Sequence, residues 1–210
     1  MENIKLVAFD MYDTWVNMDT KTNPYKNFFN KLWIQNNIRE LSRVLQTTSQ
    51  DIDDVLTLEE VLRDDTEIFL EQFNEQIQKQ LASIFIYYDF LPTIDFLKKN
   101  WYQTAVVSNL SKPYAYPLTH LSWKWAFDYQ ILSFQVWEIK PNIWIFQQLQ
   151  NKSWIAPENT IMVWDSFSSD VKWAHNAWIY PFHLVRSSSW IQDKWRYTQI
   201  SSLEDLKQIL

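Results

Sequence analysis

The chain of 210 residues contains no glycine and no cysteine. An ordinary globular domain carries glycine at about 7% of its positions, roughly 15 in a chain of this length, and its absence excludes collagen-like and Gly/Ser-linker classes. The absence of cysteine excludes a disulfide framework, a thiolate nucleophile and a zinc-thiolate centre, and fits a reducing compartment. Long apolar runs are missing too. Ile4 to Phe9, behind Met1-Glu2-Asn3, is too short for a membrane span or a secretory signal core, so the expected location is the cytoplasm. Positive charge is sparse: 19 Lys and Arg against 25 Asp and Glu give a net charge of −6. A nucleic-acid binder needs a basic patch to displace phosphate counterions, so no nucleic-acid or membrane partner is expected.

What the chain does have is 13 Trp and an aromatic content of 17%, which sets it apart from disordered sequences. Its length accommodates one large domain or one domain with an insertion. Leu6-Val7-Ala8-Phe9 reads as a buried strand, and similar runs recur at Thr104 to Val107, Tyr129 to Leu132, Thr160 to Val163 and Ile179 to Val185. Helical patterns lie between them, at Leu91 to Lys99, Pro113 to Leu121, Pro141 to Gln150 with Pro at a helix start, and Ser168 to Ala177. Strands alternating with helices predict an α/β fold, a Rossmann-like doubly wound parallel sheet with its site at the strand carboxyl ends.

Residues 17 to 90 read differently. They show no convincing strand. Asn23-Pro24 opens a helix through Lys31, Ser49-Gln50-Asp51-Ile52 opens another, and Asp65 to Ile84 carries Ile68, Phe69, Phe73, Ile77 and Leu81 at helical spacing. The expected organisation is a core of residues 1–16 and 91–210 with an α-helical insertion at 17–90. The insertion's aromatics, Tyr25, Phe28, Phe29, Phe69 and Phe73, read as helix-packing core.

Several Trp residues stand where the local pattern asks for glycine. Trp101 and Trp154 follow helix ends, in the slot where a left-handed backbone is usual. Trp164 lies at a strand-to-loop transition beside Asp165, and Trp173 and Trp178 flank Ala174 and Ala177, where a helix should pack closely on a sheet. A Trp at positive φ is sterically penalised. A Trp-rich core accounts for bulk hydrophobicity but not for these positions. The reading they favour is a glycine codon rendered as tryptophan, with UGA, which some lineages decode as Gly, the natural candidate.

Polar residues gather after the strands in a fixed order: Asp10-Met11-Tyr12-Asp13-Thr14, then Ser108-Asn109, then Lys140-Pro141, then Asp165-Ser166-Phe167-Ser168-Ser169-Asp170. In this order the chain resembles the haloacid dehalogenase superfamily of hydrolases, whose motifs are Asp-x-x-x-Thr, Ser/Thr-Asn, Lys and Gly-Asp-x-x-x-x-Asp. With Gly read for Trp the likeness sharpens, since Trp137-Glu138-Ile139-Lys140-Pro141 becomes Gly-x-x-Lys-Pro and Trp164-Asp165 becomes Gly-Asp.

The roles follow from residue type and from that resemblance. Asp10, a carboxylate at a strand end, can act as nucleophile and split one hard displacement into two. Asp165 and Asp170 offer hard oxygen ligands suited to Mg²⁺, and the resemblance implies that Asp10 and the backbone carbonyl of Tyr12 join them. Ser108, with neighbouring backbone N–H groups, can hold a phosphoryl oxygen. Lys140 supplies a cation against the carboxylates and the charge of a transition state, and Asn109 positions its neighbours. His120, His175 and His183 lack the mutual spacing of a metal site, and Arg39 and Arg43 read as surface charges.

Tyr12 departs from the family's phosphatases, which place a second Asp there to protonate the leaving group. A Tyr at this position resembles the dehalogenase branch, which uses no metal; Asp13, one residue further on, needs a turn to substitute. Paired Asp165 and Asp170 without a cation would repel each other. The expectation is therefore an Mg²⁺-dependent hydrolase of a small phosphate ester working through an aspartyl-phosphate. The alternatives are a metal-independent 2-haloacid dehalogenase-type hydrolase and a catalytically weakened binding protein of the same fold. The resemblance implies that the insertion closes over the site and excludes water.

Overall fold

The computed structural model describes residues 3–20, 22–32, 38–49, 52, 66–121, 123–166, 177–194 and 197–210. Its centre is a sheet of seven strands: β1 (Leu6–Phe9), β4 (Gln103–Ser108), β5 (Tyr129–Leu132), β6 (Thr160–Trp164), β7 (Tyr180–Leu184), β8 (Gln192–Lys194) and β9 (Tyr197–Ile200), in spatial order β5-β4-β1-β6-β7-β9-β8. Every pairing is parallel except β8 with β9. This is the expected doubly wound parallel sheet, extended beyond β7 by two strands, β9 and the edge strand β8, that the sequence reading does not anticipate. β8 is short and polar, which suits an unprotected sheet edge.

The sheet is covered on both faces, which is why its strands read as unbroken apolar runs. In β1, Val7 and Phe9 point into one apolar cluster and Leu6 and Ala8 into another on the opposite face. The first face is covered by the helix Phe90–Lys99, through Phe90, Ile94 and Leu97 at helical spacing. The second is covered by the helix Ile143–Ser153, through Ile145, Phe146 and Leu149.

Two sequence expectations shift here. The helix expected from Pro141 starts at Ile143, because Asn142 is its cap and accepts from the backbone of Trp144, while Pro141 follows a cis peptide from Lys140. The stretch expected as one helix from Pro113 to Leu121 is a 3₁₀ turn, Lys112–Ala115, running into a short α-helix, Tyr116–Thr119. The helix expected at Ser168 to Ala177 lies almost wholly outside the described residues.

Helices Pro24–Lys31, Ile38–Thr47 and Thr66–Ala82 form a separate apolar cluster in which Phe28, Phe29, Leu45, Phe73, Ile77 and Leu81 are buried. Asn23 caps the first of them by accepting from the Lys26 backbone at 2.9 Å. The expectation of no strand in 17–90 is corrected by a two-stranded antiparallel ribbon, β2 (Val16–Met18) with β3 (Ile84–Ile86), where the chain leaves and rejoins the sheet. Three residues per strand are too few for an alternating pattern to show in the sequence. The opening of a helix at Ser49 to Ile52 lies largely outside the described residues.

Five described non-glycine residues have positive φ, and four are tryptophans: Trp101 (64°), Trp137 (62°), Trp154 (57°) and Trp178 (59°). Trp137 and Trp154 end helices in the left-handed conformation. All four indoles are exposed, so burial does not offset the backbone strain. Trp15 and Trp164 are the opposite kind: both are fully buried, and neither indole N–H has a partner. Trp173 lies outside the described residues. Among the described residues no helix is long and apolar enough to cross a membrane.

Candidate active site

β1, β4 and β6 end side by side, at the point where the strand order reverses on either side of β1. In open α/β sheets that crevice is where ligands bind. Asp10 is the residue directly after β1, and its backbone N–H still bonds to Val163 of β6 at 2.8 Å, so its carboxyl emerges at the sheet's rim in a fixed place.

Three groups hold that carboxyl, two on Oδ1 and one on Oδ2. The Ser108 hydroxyl, at the end of β4, donates to Oδ1 at 2.7 Å. The Lys140 ammonium stands 2.8 Å from Oδ2. The Met11 backbone N–H also donates to Oδ1, at 2.7 Å. Lys140 is itself fixed by Asn109, whose amide accepts from the Lys140 N–H at 2.6 Å and donates to its carbonyl at 2.7 Å. The structure brings Ser108, Asn109 and Lys140 together around Asp10, with Asn109 bridging its own loop to that of Lys140.

Asp165, after β6, completes the rim. Burial pushes its carboxyl up to about 6, and the negative charges of Asp10 and then Asp13 push in the same direction. Crowded carboxylates of this kind form a donor set suited to a hard cation such as Mg²⁺, which binds through one or two carboxylates with waters and substrate oxygens. Asp10 and Asp165 fit that set. Among the described residues no three acidic or histidine side chains converge as a metal site, and Asp170, the other expected ligand, lies outside them.

Asp13 occupies a turn with φ of 58°, a conformation that Asp tolerates better than most residues. The turn that the sequence reading required for Asp13 is therefore present. The Tyr12 side chain turns away from acid–base work: its hydroxyl donates to the Tyr114 carbonyl at 3.0 Å, its ring meets Tyr114 edge to face at 5.9 Å, and burial pushes its phenol well above the usual value.

Sequence reasoning missed other residues around the site. Tyr25 packs against Phe29 and Phe73 as expected and also lines a cavity with Tyr12, Gln80, Ser111 and Tyr114. Ser111 lies close to a recognised motif, but Gln80 and Tyr114 carry no signal, because only the folded chain brings them to Tyr12. Of the histidines, His183 places Nε2 3.0 Å from the Asp165 carbonyl. His120 stacks on Tyr116, and His175 lies outside the described residues. Arg43 is exposed as expected, and the Arg39 side chain is outside the described residues.

The topology and the rim residues define an α/β protein with a carboxylate-centred site at a topological switch point. The haloacid dehalogenase-like hydrolase family model matches residues 7–182, and the chain belongs to that family of hydrolases. No functionally curated protein matches it. Among solved structures it is similar to a HAD phosphatase from Thermococcus onnurineus, at 22% identity and a TM-score of 0.64 over 98% of this chain and 97% of the other. It is equally similar to a 2-haloacid dehalogenase from Pseudomonas syringae pv. tomato, at 19% identity and a TM-score of 0.67 over the same shares. A HAD family enzyme from Bacteroides thetaiotaomicron, solved as a mutant with magnesium and inorganic phosphate, is similar at 17% identity and a TM-score of 0.61, over 89% of this chain and 97% of that one.

Proposed function

We propose that this hydrolase is an Mg²⁺-dependent phosphatase acting on a small phosphate ester through a phosphoryl group carried on Asp10. The observation that carries the reading is the pairing of two carboxyls at one rim, Asp10 after β1 and Asp165 after the adjacent β6, where burial first and then the charges of Asp10 and Asp13 raise Asp165. A dehalogenase needs no metal ion, and Lys140 already pairs with Asp10, so the further charge of Asp165 is what a metal ion would balance. Bound Mg²⁺ would be held by Asp10, Asp165, Asp170 and the Tyr12 carbonyl, and would neutralise charge between the carboxylates and the phosphoryl oxygens.

The Asp10 carboxylate attacks phosphorus, and the bond from phosphorus to the leaving oxygen breaks. Asp13 gives that oxygen its proton and then takes one from the water that cleaves the aspartyl-phosphate. Ser108 and Lys140 keep the nucleophile aimed, and the Lys140 ammonium faces the charge that develops on the phosphoryl group. Residues 17–90 act as the cap that excludes water, with residues 1–16 and 91–210 as the catalytic core.

Phosphate release from small esters, with and without Mg²⁺ and beside an Asp10→Asn variant, tests this. Turnover that needs both Mg²⁺ and Asp10 is expected. One feature favours a second reading: Tyr12 stands where phosphatases keep an acid. Metal-independent halide release from a 2-haloacid would establish that dehalogenase reading instead, and inertness toward both substrates would leave a binding protein.

A further inference from the structure

Between Asp10 and β2 the chain makes one tight turn, and that turn carries Asp13. From inside it is weakly held. The N–H groups of Thr14, Trp15 and Val16 all point to the Met11 carbonyl, at 3.3, 3.1 and 3.3 Å, which is long for such bonds and sets three donors on two lone pairs. Asp13 stands at φ 58°, a strained conformation that persists only where the surroundings over-determine it. The Thr14 hydroxyl is buried and meets no hydrogen-bond partner among the described residues, so the side chain next to Asp13 does not fix the turn.

A tie from outside the turn comes from Arg186, two residues after β7. Its guanidinium donates to the Thr14 carbonyl, on the residue directly after Asp13. The same group donates to the Asp89 carboxylate at 2.8 and 3.2 Å and lies 3.7 Å from the Tyr87 ring centroid. Asp89 is in turn held by the Ser202 hydroxyl and the Leu203 N–H, both at 2.9 Å, so the guanidinium has a fixed place to stand. A planar fork of five donors serves a carboxylate and a carbonyl at once. Bonds from a charged donor are also stronger than the neutral ones inside the turn.

We infer that Arg186 is a positioning residue for proton transfer. By holding the Thr14 carbonyl it keeps the Asp13 turn wound, and so keeps in place the carboxyl that hands its proton to the leaving oxygen as the bond from that oxygen to phosphorus breaks. Arg186 acts through Asp13 and not on the substrate. The inference rests on the phosphatase reading above, with Asp13 as its acid, and adds the residue that places that acid.

The test uses two esters that differ in their need for the proton. Glycerol phosphate departs as an alkoxide unless it is protonated, whereas p-nitrophenolate is a stable anion that leaves unaided. The comparison is made on kcat/KM at saturating Mg²⁺, which reports the steps up to departure of the leaving group and excludes the later work of Asp13 on water. Arg186→Lys keeps a positive charge beside Asp89, but one ammonium does not reproduce the fork that reaches carboxylate and carbonyl together. Its kcat/KM is expected to fall at least about tenfold further for glycerol phosphate than for p-nitrophenyl phosphate, a part of the roughly 10²–10⁴-fold that a general acid supplies. Asp13→Asn is expected to show the same split, and the double variant to lose no more on glycerol phosphate than Asp13→Asn alone. Tyr87→Leu removes the ring beside the guanidinium and leaves both charges; it is expected to give a smaller split of the same sign, and it decides the matter if Arg186→Lys does not fold. Equal losses on the two esters, no loss, losses that add in the double variant, or Asp13→Asn without a split overturn the inference while the phosphatase reading stands. If the parent chain turns over neither ester in an Asp10-dependent way, the reading beneath it fails.

Discussion

Lys140 and Asp10 form a nearly dry ion pair at the mouth of the sheet, Nζ to Oδ2 2.8 Å, with 5% and 17% of their side chains exposed. At that distance the carboxylate engages one of the ammonium's three protons, which leaves two. On the phosphatase reading, these face the incoming phosphoryl oxygen.

Lys140→Met is expected to lower kcat by roughly 10²–10³-fold, the range seen when one preorganised group facing transition-state charge is removed. Steady-state phosphate release at saturating Mg²⁺ measures it. A loss smaller than tenfold would make Lys140 a purely structural counter-ion.

A second buried pair holds the base of the ribbon. The fully buried Asp89 carboxylate accepts from Arg186 at 2.8 and 3.2 Å, from the Ser202 hydroxyl at 2.9 Å and from the Leu203 N–H at 2.9 Å. The Arg186 guanidinium also donates to the Thr14 carbonyl and lies 3.7 Å from the Tyr87 ring centroid. The loop after β1, the returning chain and the C-terminal segment thus share one clamp. Removing one partner leaves a buried charge uncompensated, so Arg186→Met is expected to cost about 3–5 kcal/mol by denaturant unfolding.

The pH dependence of that clamp has a definite sign. Burial pushes the Asp89 carboxyl up, but hydrogen bonds from Arg186, Leu203 and Ser202 and the Arg186 charge outweigh it and hold it below the usual carboxylate value. Its contribution is full above the ordinary value, about 3.9, and is lost as pH falls through the lowered folded one. The stability gap between the parent chain and Asp89→Asn should be constant near neutrality and shrink below about pH 4. A gap that widened on acidification would contradict the geometry.

How much of this could be read from the sequence depends on how local each cause is. β1 and β6 were legible because burial on both faces makes a strand continuously apolar, and Asp10 and Asp165 because a polar residue after such a strand has only the rim to occupy. The ribbon at Val16 and Ile86 was not, since its strands are too short to show a period. Arg186 and Asp89 stand 97 residues apart, and nothing near either one announces the other. Asp13 was half legible: its place in the motif was plain, but the left-handed turn that it occupies is a property of the fold.

Replacing Asp165 removes one of the hard-oxygen ligands proposed for Mg²⁺. Asp165→Asn is expected to raise the Mg²⁺ concentration for half-maximal activity by at least about tenfold, since a neutral amide binds a hard cation far less well than a carboxylate. Titrating the rate with Mg²⁺ gives the value directly. An unchanged half-point would exclude Asp165 as a ligand.

The left-handed tryptophans give the sharpest test of the chain's composition. A bulky L-residue in that conformation costs roughly 1–2 kcal/mol, whereas Gly adopts it freely. At Trp101, Trp137, Trp154 and Trp178 the indole is exposed, so replacing it forfeits little packing. Each single Trp→Gly substitution should therefore raise stability by about 1 kcal/mol after the greater unfolded-state freedom of Gly is set against the relieved strain. Trp15→Ala should do the reverse and cost about 3–5 kcal/mol, because Trp15 is fully buried and stacks on Phe90 at 4.6 Å. Denaturant unfolding of the five variants separates the two kinds. Intact mass of the protein from its own cells then decides whether glycine is the natural residue: a deficit of 13 indolylmethyl-for-hydrogen exchanges, one for each Trp of the sequence, is expected, and a mass that agrees with 13 tryptophans would make the strain at these four turns a genuine feature of the enzyme.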